Sequence, residues 1–302
     1  RSYFLSFAAS FPTVFDLAEA HEEKVLKLWQ GLGYYSRARN LHATAKYIAS
    51  ELGGRFPDNY NDLLKLKGVG EYTAAAIASF SYNEAVPVVD GNVFRVLSRV
   101  FDIASDIGSG GAKKEFAALA KALMPTEDPA VFNQAIMEFG ALQCIPKNPD
   151  CGSCVLNSGC LALKYGRVGT LPVKLKKAKV RNRYFQYLVF SDENRNLLIR
   201  KRTEKGIWHN LYEFPMIETD SEIGFEAVCD AVHEAYGGNY QITEIAHLNR
   251  SKILHKLSHQ HLHINFYEVT VKGLIGDAIS LESALAYPFP IVIFDFIEKD
   301  LL

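Results

Sequence analysis

The glycine pair Gly68 and Gly70 constrains the fold more than any other feature, because it separates two helical segments at a fixed point. Residues 63–66 are rich in Leu and read as the end of a short helix, and the Ala-rich stretch 73–78 begins another. Two glycines favour a tight turn with positive φ. The bare N–H groups of a helix start bind anions, and the missing side chains let a phosphate approach. An ordinary helical hairpin has the same pattern, so this stretch alone leaves DNA binding and a simple turn both open.

Asp90 is the second informative residue. It follows the apolar run 86–89 and precedes Gly91 and Asn92. Apolar neighbours predict a partly desolvated carboxylate near a helix start, and Asn92 can hydrogen-bond it. Asp is also a common helix N-cap, which is the structural alternative.

Together, the hairpin and Asp90 resemble the helix-hairpin-helix DNA glycosylase superfamily. The resemblance implies that the hairpin, with Gly68 and Gly70, grips the phosphate backbone of DNA. It also implies that Asp90, with Asn92 beside it, serves a base-excision pocket.

Length and composition indicate a globular protein of two or more domains. The chain has 302 residues, of which 48% are hydrophobic and 22% charged. No run approaches a transmembrane span and no signal-peptide layout is visible, so we expect an intracellular, cytoplasmic protein. The five cysteines are clustered and odd in number, which favours a metal or cluster site over secreted disulfides.

The charge is unevenly distributed although the net charge is only −1. Residues 166–183 carry basic and no acidic side chains, whereas residues 184–302 carry 17 acidic and 10 basic ones. The basic residues of this linker are Arg167, Lys174, Lys176, Lys177, Lys179, Arg181 and Arg183. The linker is therefore a candidate phosphate contact, with a solvated linker as the alternative.

Residues 29–41 combine two glycines, two tyrosines and two arginines. An apolar wedge with aromatic groups can fill the gap that a flipped base leaves, and a core aromatic loop is the alternative. As a block the stretch resembles the loop of adenine glycosylases of the MutY family. By that resemblance Leu32 and Tyr34 press into the base stack, and Arg37 and Arg39 lie near the DNA backbone or brace the loop.

Further helices complete an all-helical region. Apolar periodicity predicts helices at about 22–29, 41–52, 92–102, 113–124 and 129–142. Gln134, near the start of the last one, matches a position that the family uses to hydrogen-bond the adenine edge. A solvent-facing Gln is the alternative.

Four cysteines, Cys144, Cys151, Cys154 and Cys160, lie within 17 residues. In an intracellular chain such a cluster reads as a metal site, and zinc is the generic choice. The spacing resembles the four-cysteine iron–sulfur loop of the glycosylase superfamily, which implies a [4Fe–4S] cluster. Cys229 lies apart from them and reads as a buried thiol.

The pattern changes to α+β from Tyr184 onward. We expect strands at 184–190, 196–202, 247–257 and 259–271 and a helix at 225–236. This region resembles the Nudix fold of the MutY C-terminal domain. Its helix lacks the acidic cluster that holds magnesium in Nudix hydrolases, so we expect no pyrophosphatase activity.

The turn between the last two strands carries Leu257, Ser258 and His259. It is similar to the Phe-Ser-His loop with which the family recognises its lesion, with Leu in place of Phe. The resemblance implies that Ser258 hydrogen-bonds 8-oxoguanine beside His259. The alternating His259, His261 and His263 share one strand face, where a metal site and a half-exposed sheet face are the two interpretations.

The resemblance covers most of the chain and predicts a multidomain protein. The domains are a helical glycosylase region at 1–165, a basic linker at 166–183 and a Nudix-like lesion-recognition domain at 184–302. The implied activity is the removal of adenine mispaired with 8-oxoguanine or guanine in duplex DNA, by a monomer associated with the bacterial nucleoid. Tyr72 stands where the endonuclease III branch has the Lys that forms a Schiff base, so a monofunctional glycosylase is expected.

The chain begins without Met and within a helical pattern, so we expect residues to precede it. The family's general acid is a Glu upstream of a Phe-Pro-Thr stretch, and no Glu of this chain occupies that context. As given, the chain is expected to bind DNA weakly and to turn over poorly. The alternatives are a catalytically silent DNA-damage-binding iron–sulfur protein and an iron–sulfur structural or electron-transfer protein.

Overall fold

The structure is a computed structural model and describes residues 2–175, 180–249 and 251–302. Three lysines of the predicted basic linker, Lys176, Lys177 and Lys179, lie outside the described residues. By their contacts, residues 52–175 form one compact unit, and residues 2–51 form another together with 180–302.

The helices and strands are named in chain order. The helices are α1 (Ser2–Ser10), α2 (Val14–Glu19), α3 (Glu22–Leu28), α4 (Ser36–Glu51), α5 (Tyr60–Leu63), α6 (Glu71–Tyr82), α7 (Gly91–Val100), α8 (Gly110–Leu123), α9 (Pro129–Leu142), α10 (Leu161–Lys164), α11 (Phe225–Tyr236), α12 (Leu281–Ala284) and α13 (Ile291–Phe296). The strands are β1 (Arg181–Ser191), β2 (Arg200–Lys201), β3 (Tyr212–Glu213), β4 (Met216–Thr219), β5 (Ile242–His247), β6 (Ile253–Lys256) and β7 (Gln260–Val271). Among the described residues, none of the helices combines the length and the apolar content that a membrane span needs.

The unit of residues 52–175 is helical, and α7 lies at its centre. Val93 and Leu97 on α7 pack against Phe116 of α8 in a buried apolar cluster. Helix α9 crosses α7 closely at Gly140, where an added Cβ would lie 2.7 Å from the Cβ of Asn92. This close approach requires glycine and brings the backbone of α9 against the first turn of α7.

The other unit is built on a sheet with strand order β4-β1-β7-β5, and β6 pairs with β7 beyond the end of β5. Strands β1 and β7 are parallel, in register from Arg181 opposite Gln260 to Ser191 opposite Thr270. The other pairs of this sheet are antiparallel. The helix α11 covers one face through Val228 and Val232, which cluster with Leu188 and Phe190 of β1.

The opposite face of the sheet explains why residues 2–51 group with the C-terminal region. Leu17 of α2 and Leu26 of α3 belong to one buried cluster with Phe185 and Tyr187 of β1. The predicted domain boundaries follow composition along the chain, whereas this grouping follows contacts between distant segments. The domain division at 165 and 183 therefore stays a prediction about the sequence, and the contact-based units differ from it.

Some strand predictions are wrong. The predicted strand 247–257 contains only the last residue of β5 and the four residues of β6, and the prediction missed the first five residues of β5. The predicted strand 196–202 is reduced to Arg200–Lys201, with Leu197 forming isolated bridges. The helix predicted from 41 begins at Ser36, so Arg37 and Arg39 are helical.

Candidate functional site

The glycine hairpin has the local geometry that the sequence predicts. Gly68 has a φ of +80°, and Gly70 is the N-cap residue of α6 without any side-chain cap. A Cβ built at Gly70 would meet no atom within 4 Å, so the approach to the first N–H groups of α6 is open. Tyr72 lies in this first turn, and 47% of its surface is exposed. The hairpin therefore presents free N–H donors with a phenol beside them.

Asp90 is half-buried and caps α7. Its Oδ1 accepts hydrogen bonds from the backbone N–H groups of Asn92 and Val93, both at 2.8 Å. Its Oδ2 accepts a hydrogen bond from the Asn92 side chain at 2.9 Å. Both carboxylate oxygens are thus held in place, so the group is fixed before any substrate arrives.

Arg95 extends this network to the cysteine segment. Its guanidinium is almost fully buried and donates to the Asn92 side chain at 2.8 Å and to the Gly140 carbonyl at 2.5 Å. Its Nε donates to the carbonyl of Cys144 at 2.7 Å. Burial lowers the pKa of Arg95, and Cys144 and Asp90 oppose that effect. One side chain therefore connects the Asp90 cap, α9 and the first cysteine.

The four predicted metal-ligand cysteines line one cavity with Arg99 of α7. Arg99 Nη1 lies 3.4 Å from Cys144 Sγ, and Cys160 Sγ lies 3.5 Å from the Arg99 carbonyl. Burial, followed by the nearby Cys144, Cys160 and Cys154, raises the pKa of the Cys151 thiol. The segment 144–160 thus brings all four cysteines to the walls of one cavity.

The four cysteine side chains are not gathered around a single point among the described residues. Four thiolates at about 2.3 Å from one zinc ion would lie roughly 4 Å apart. Among the described residues, no group of three or more His, Cys, Asp or Glu side chains could hold one metal ion. The same finding covers the alternating histidines, of which His263 stacks on Tyr184 at 4.6 Å. The donor set itself, four thiols in one short segment, is of the kind that binds either a zinc ion or an iron–sulfur cluster.

Asn133 is a positioning residue that the sequence analysis missed. It is buried in α9, where its Oδ1 accepts the Val88 N–H at 3.0 Å and its Nδ2 donates to the Val86 carbonyl at 2.9 Å. These bonds fix the extended segment that leads to Asp90. The available signal was an Asn within an apolar helix, next to the exposed Gln134.

The predicted wedge loop and the predicted lesion-reading turn meet within the unit of residues 2–51 and 180–302. The Tyr34 and Ser258 hydroxyls are 2.5 Å apart. Tyr34 has a φ of +47° and is 68% exposed, and Leu32 and His259 are also exposed. Both segments line a cavity of about 600 Å³, which is the size of a small-molecule pocket.

The loop arginines brace the structure. Arg37 lies over the Trp29 and Tyr34 rings, and Arg39 donates to the His209 carbonyl at 2.8 Å. These contacts are those of bracing residues, and a DNA-backbone contact by the exposed Arg37 stays a prediction. The bracing contacts hold the wedge loop against the residues that form the other wall of the cavity.

Two arginines of the predicted basic linker are already paired. Arg167 bonds Asp102 at 2.7 Å, and Arg183 makes two bonds of 2.6 Å to Glu218. Each has a carboxylate partner far away in sequence, and their role as phosphate contacts stays a prediction. Arg181 and Lys174 are exposed and remain candidates.

Comparison with known proteins assigns the family. Residues 1–122 match the HhH-GPD superfamily base excision DNA repair proteins, and residues 186–299 match the NUDIX domain. The Adenine DNA glycosylase of Buchnera aphidicola subsp. Schizaphis graminum is 38% identical over 217 residues, covering 72% of this chain and 62% of that protein. The protein of the same name from Buchnera aphidicola subsp. Baizongia pistaciae is 34% identical over 265 residues, covering 87% of this chain and 72% of that one.

The chain belongs to the adenine DNA glycosylase family. The match spans less than two thirds of the length of the Schizaphis relative. A solved structure of a thermostable thymine-DNA glycosylase is also similar, with a TM-score of 0.51 and 28% identity over 54% of this chain and 76% of that one.

The candidate site residues fall into two groups, one in each compact unit. The hairpin, Tyr72, Asp90, Asn92, Gln134 and the cysteines lie in the helical unit, and Leu32, Tyr34, Arg37, Arg39, Ser258 and His259 lie in the sheet unit. The family's NUDIX match covers the sheet that carries the Ser258 turn.

Proposed function

We propose that the protein removes adenine mispaired with 8-oxoguanine or guanine in duplex DNA, by hydrolysing the bond between base and deoxyribose. The observation that carries this proposal is the 34% identity to an adenine DNA glycosylase over 87% of this chain. The reaction belongs to intracellular base excision repair.

Asp90 has the geometry that this chemistry needs. Loss of the base leaves the sugar with oxocarbenium character, and a nearby carboxylate stabilises that cation or attacks it. Because three hydrogen bonds fix the Asp90 carboxylate, little reorganisation is needed as charge develops. Adenine must also be protonated to leave, and we assign that proton to no residue of this chain.

The other residues take roles in binding. The N–H groups behind Gly68 and Gly70 hold a phosphate, and Gln134 reads the adenine edge. Leu32 and Tyr34 insert into the base stack, in the space that the flipped adenine leaves. Ser258, with His259 beside it, hydrogen-bonds 8-oxoguanine opposite the adenine, because that base differs from guanine at N7 and C8 and presents a different edge. Tyr72 supports the reaction without cutting the strand, since a phenol lacks the amine of a Schiff base.

We also propose that Cys144, Cys151, Cys154 and Cys160 hold a [4Fe–4S] cluster. The support is the cysteine spacing, which resembles the iron–sulfur loop of the glycosylase superfamily, and the cavity that the four cysteines line together. When bound, the cluster supplies a cross-link that orders the segment 144–160.

A single-turnover assay on the full-length protein tests the proposal. Duplexes with A:8-oxoguanine, A:G and A:T are compared, with and without hot alkali. Adenine release from the first two, with strand breaks only after alkali, is expected. Tight binding to the A:8-oxoguanine duplex without any release would instead favour a silent damage-binding protein.

A further inference from the structure

Six of the eleven Lys and Arg side chains that the structure describes between residues 180 and 302 form ion pairs within the unit. Residues 184–302 carry 17 acidic and 10 basic side chains, so free positive charge is scarce. The described ion pairs are Arg183–Glu218, Arg200–Glu213, Arg202–Glu213, Lys201–Glu23, Lys252–Glu222 and Lys299–Asp295. A cation that is left unpaired in such a domain is available to an outside anion.

Five Lys and Arg side chains between residues 180 and 302 are exposed and form no ion pair within the described part of the chain. They are Arg181, Arg195, Lys205, Lys256 and Lys272. Arg195 follows the end of β1 and Lys272 follows the end of β7, whereas Arg181 begins β1 and Lys256 ends β6. Because β1 and β7 run parallel over 11 paired positions at about 3.3 Å per residue, the two groups lie roughly 30 Å apart.

Arg181 and Lys256 bracket the turn that carries Ser258. The Arg181 N–H donates to the His259 carbonyl at 3.0 Å, and Arg181 pairs with Gln260. Lys256 pairs with His261, the next residue of β7. Since successive residues of a strand point to opposite faces, the two cations lie on opposite sides of the turn. Lys256 and Gln260 also line the cavity beside Ser258.

We propose that Arg181 and Lys256 bind DNA phosphates on either side of the nucleotide that Ser258 reads. This rests on the proposed function of the Ser258 turn and adds the backbone contacts that hold the lesion strand there. Glu218 on β4, the strand beside β1, is already engaged by Arg183 through two bonds of 2.6 Å. The turn itself supplies only a neutral hydroxyl, which contacts the base, so the positive charge that binds the DNA phosphates must come from residues beside the turn.

The test is the salt dependence of DNA binding. The full-length protein and its Arg181→Gln/Lys256→Gln variant are titrated with a duplex carrying 8-oxoguanine opposite a tetrahydrofuran abasic analogue, which has no base to remove. Each lost phosphate contact lowers the slope of log K against log salt by about 0.9, so the double variant should lose about 1.8. The affinity loss between 50 and 200 mM salt then becomes roughly tenfold smaller than in the wild type.

Arg195→Gln/Lys272→Gln is the matched control, with the same charge change at the far end of the sheet. Its slope should equal that of the wild type, and thermal unfolding should be unchanged in both variants because all four side chains are exposed. An unchanged slope in the Arg181/Lys256 variant, or an equal fall in the control, overturns the proposal.

A second comparison separates this inference from the proposed function. Phosphate contacts do not distinguish one base from another, so the ratio of affinities for 8-oxoguanine and guanine duplexes should not change in the double variant. If the wild-type protein shows no such preference, the proposed lesion reading fails. A lowered slope in the Arg181/Lys256 variant alone would still establish the phosphate contacts.

Discussion

Replacing Arg95 by Met should destabilise the helical unit strongly. The side chain is 8% exposed, and it donates to Cys144, Asn92 and Gly140 at 2.5–2.8 Å. Met keeps most of the volume but leaves three acceptors without their donor. A hydrogen bond from a charged donor contributes about 1.5–3 kcal/mol. Because Asn92 and Cys144 are only half-buried, water replaces part of the loss, and we expect roughly 3–5 kcal/mol.

The two tryptophans allow a local assay. Trp29 and Trp208 both lie in the sheet unit, so their fluorescence reports that unit. Far-UV circular dichroism also includes the helices of residues 52–175. In urea, the Arg95→Met variant should lose helical signal at lower denaturant while the tryptophan transition stays in place. Iron content should fall too, because Arg95 holds the backbone of Cys144.

The matched control for Arg95 is Lys114→Met, an exposed cation on α8 of the same unit. It should change the free energy of unfolding by less than about 0.5 kcal/mol. An Arg95→Met variant with the stability and iron content of the wild type would refute the reasoning, since the hydrogen bonds of Arg95 would then contribute nothing to the free energy of unfolding.

Three further predictions follow from the same contacts. Purified protein should be yellow-brown with about four iron atoms per chain, and the Cys144→Ser variant should lose iron and bind DNA more weakly. A colourless protein with stoichiometric zinc would contradict the cluster. Ser258→Ala with His259→Ala should lower the preference for A:8-oxoguanine over A:G by roughly tenfold at matched salt, and an unaltered preference would make them ordinary turn residues. Arg183→Gln should cost about 1–2 kcal/mol, because the pair with Glu218 is bidentate but partly exposed. Arg183 lowers the pKa of Glu218 below 4.5, so the loss of stability in the variant should be complete above pH 4.5 and should shrink as pH falls through the lowered pKa. A loss of stability that does not vary between pH 3 and 7 would rule out the ion pair.

Local signals predicted local structure well. The predicted helices at 129–142 and 225–236 agree with α9 and α11. Thr13 caps α2 with Asp16 in a capping box, as the order of these residues indicates. The cysteine spacing acts over only 17 residues, so a common cavity could be anticipated.

Long-range contacts could not be predicted in the same way. An Arg within an amphipathic helix ordinarily faces water, yet Arg95 is buried because Gly140 and Cys144 supply carbonyls from later in the chain. Arg183 looked free because its partner Glu218 lies 35 residues away. The Tyr34–Ser258 contact joins residues 224 positions apart. In each case the deciding partner comes from tertiary packing, which periodicity and composition do not encode.

The most direct test of the central claim is the single-turnover rate of adenine release by Asp90→Asn in the full-length protein. Asn is as good an N-cap as Asp and still accepts the Asn92 and Val93 backbone N–H bonds, so it loses only the bond from the Asn92 side chain, and folding and duplex binding should be retained. The control is Asp128→Asn, which removes a charge at the start of α9, where the Asp128 side chain makes no cap hydrogen bond. Losing the charge that stabilises the sugar cation costs on the order of 3 kcal/mol or more, so the rate should fall at least about a hundredfold. A near-normal rate for Asp90→Asn would show that Asp90 is a helix cap and no more.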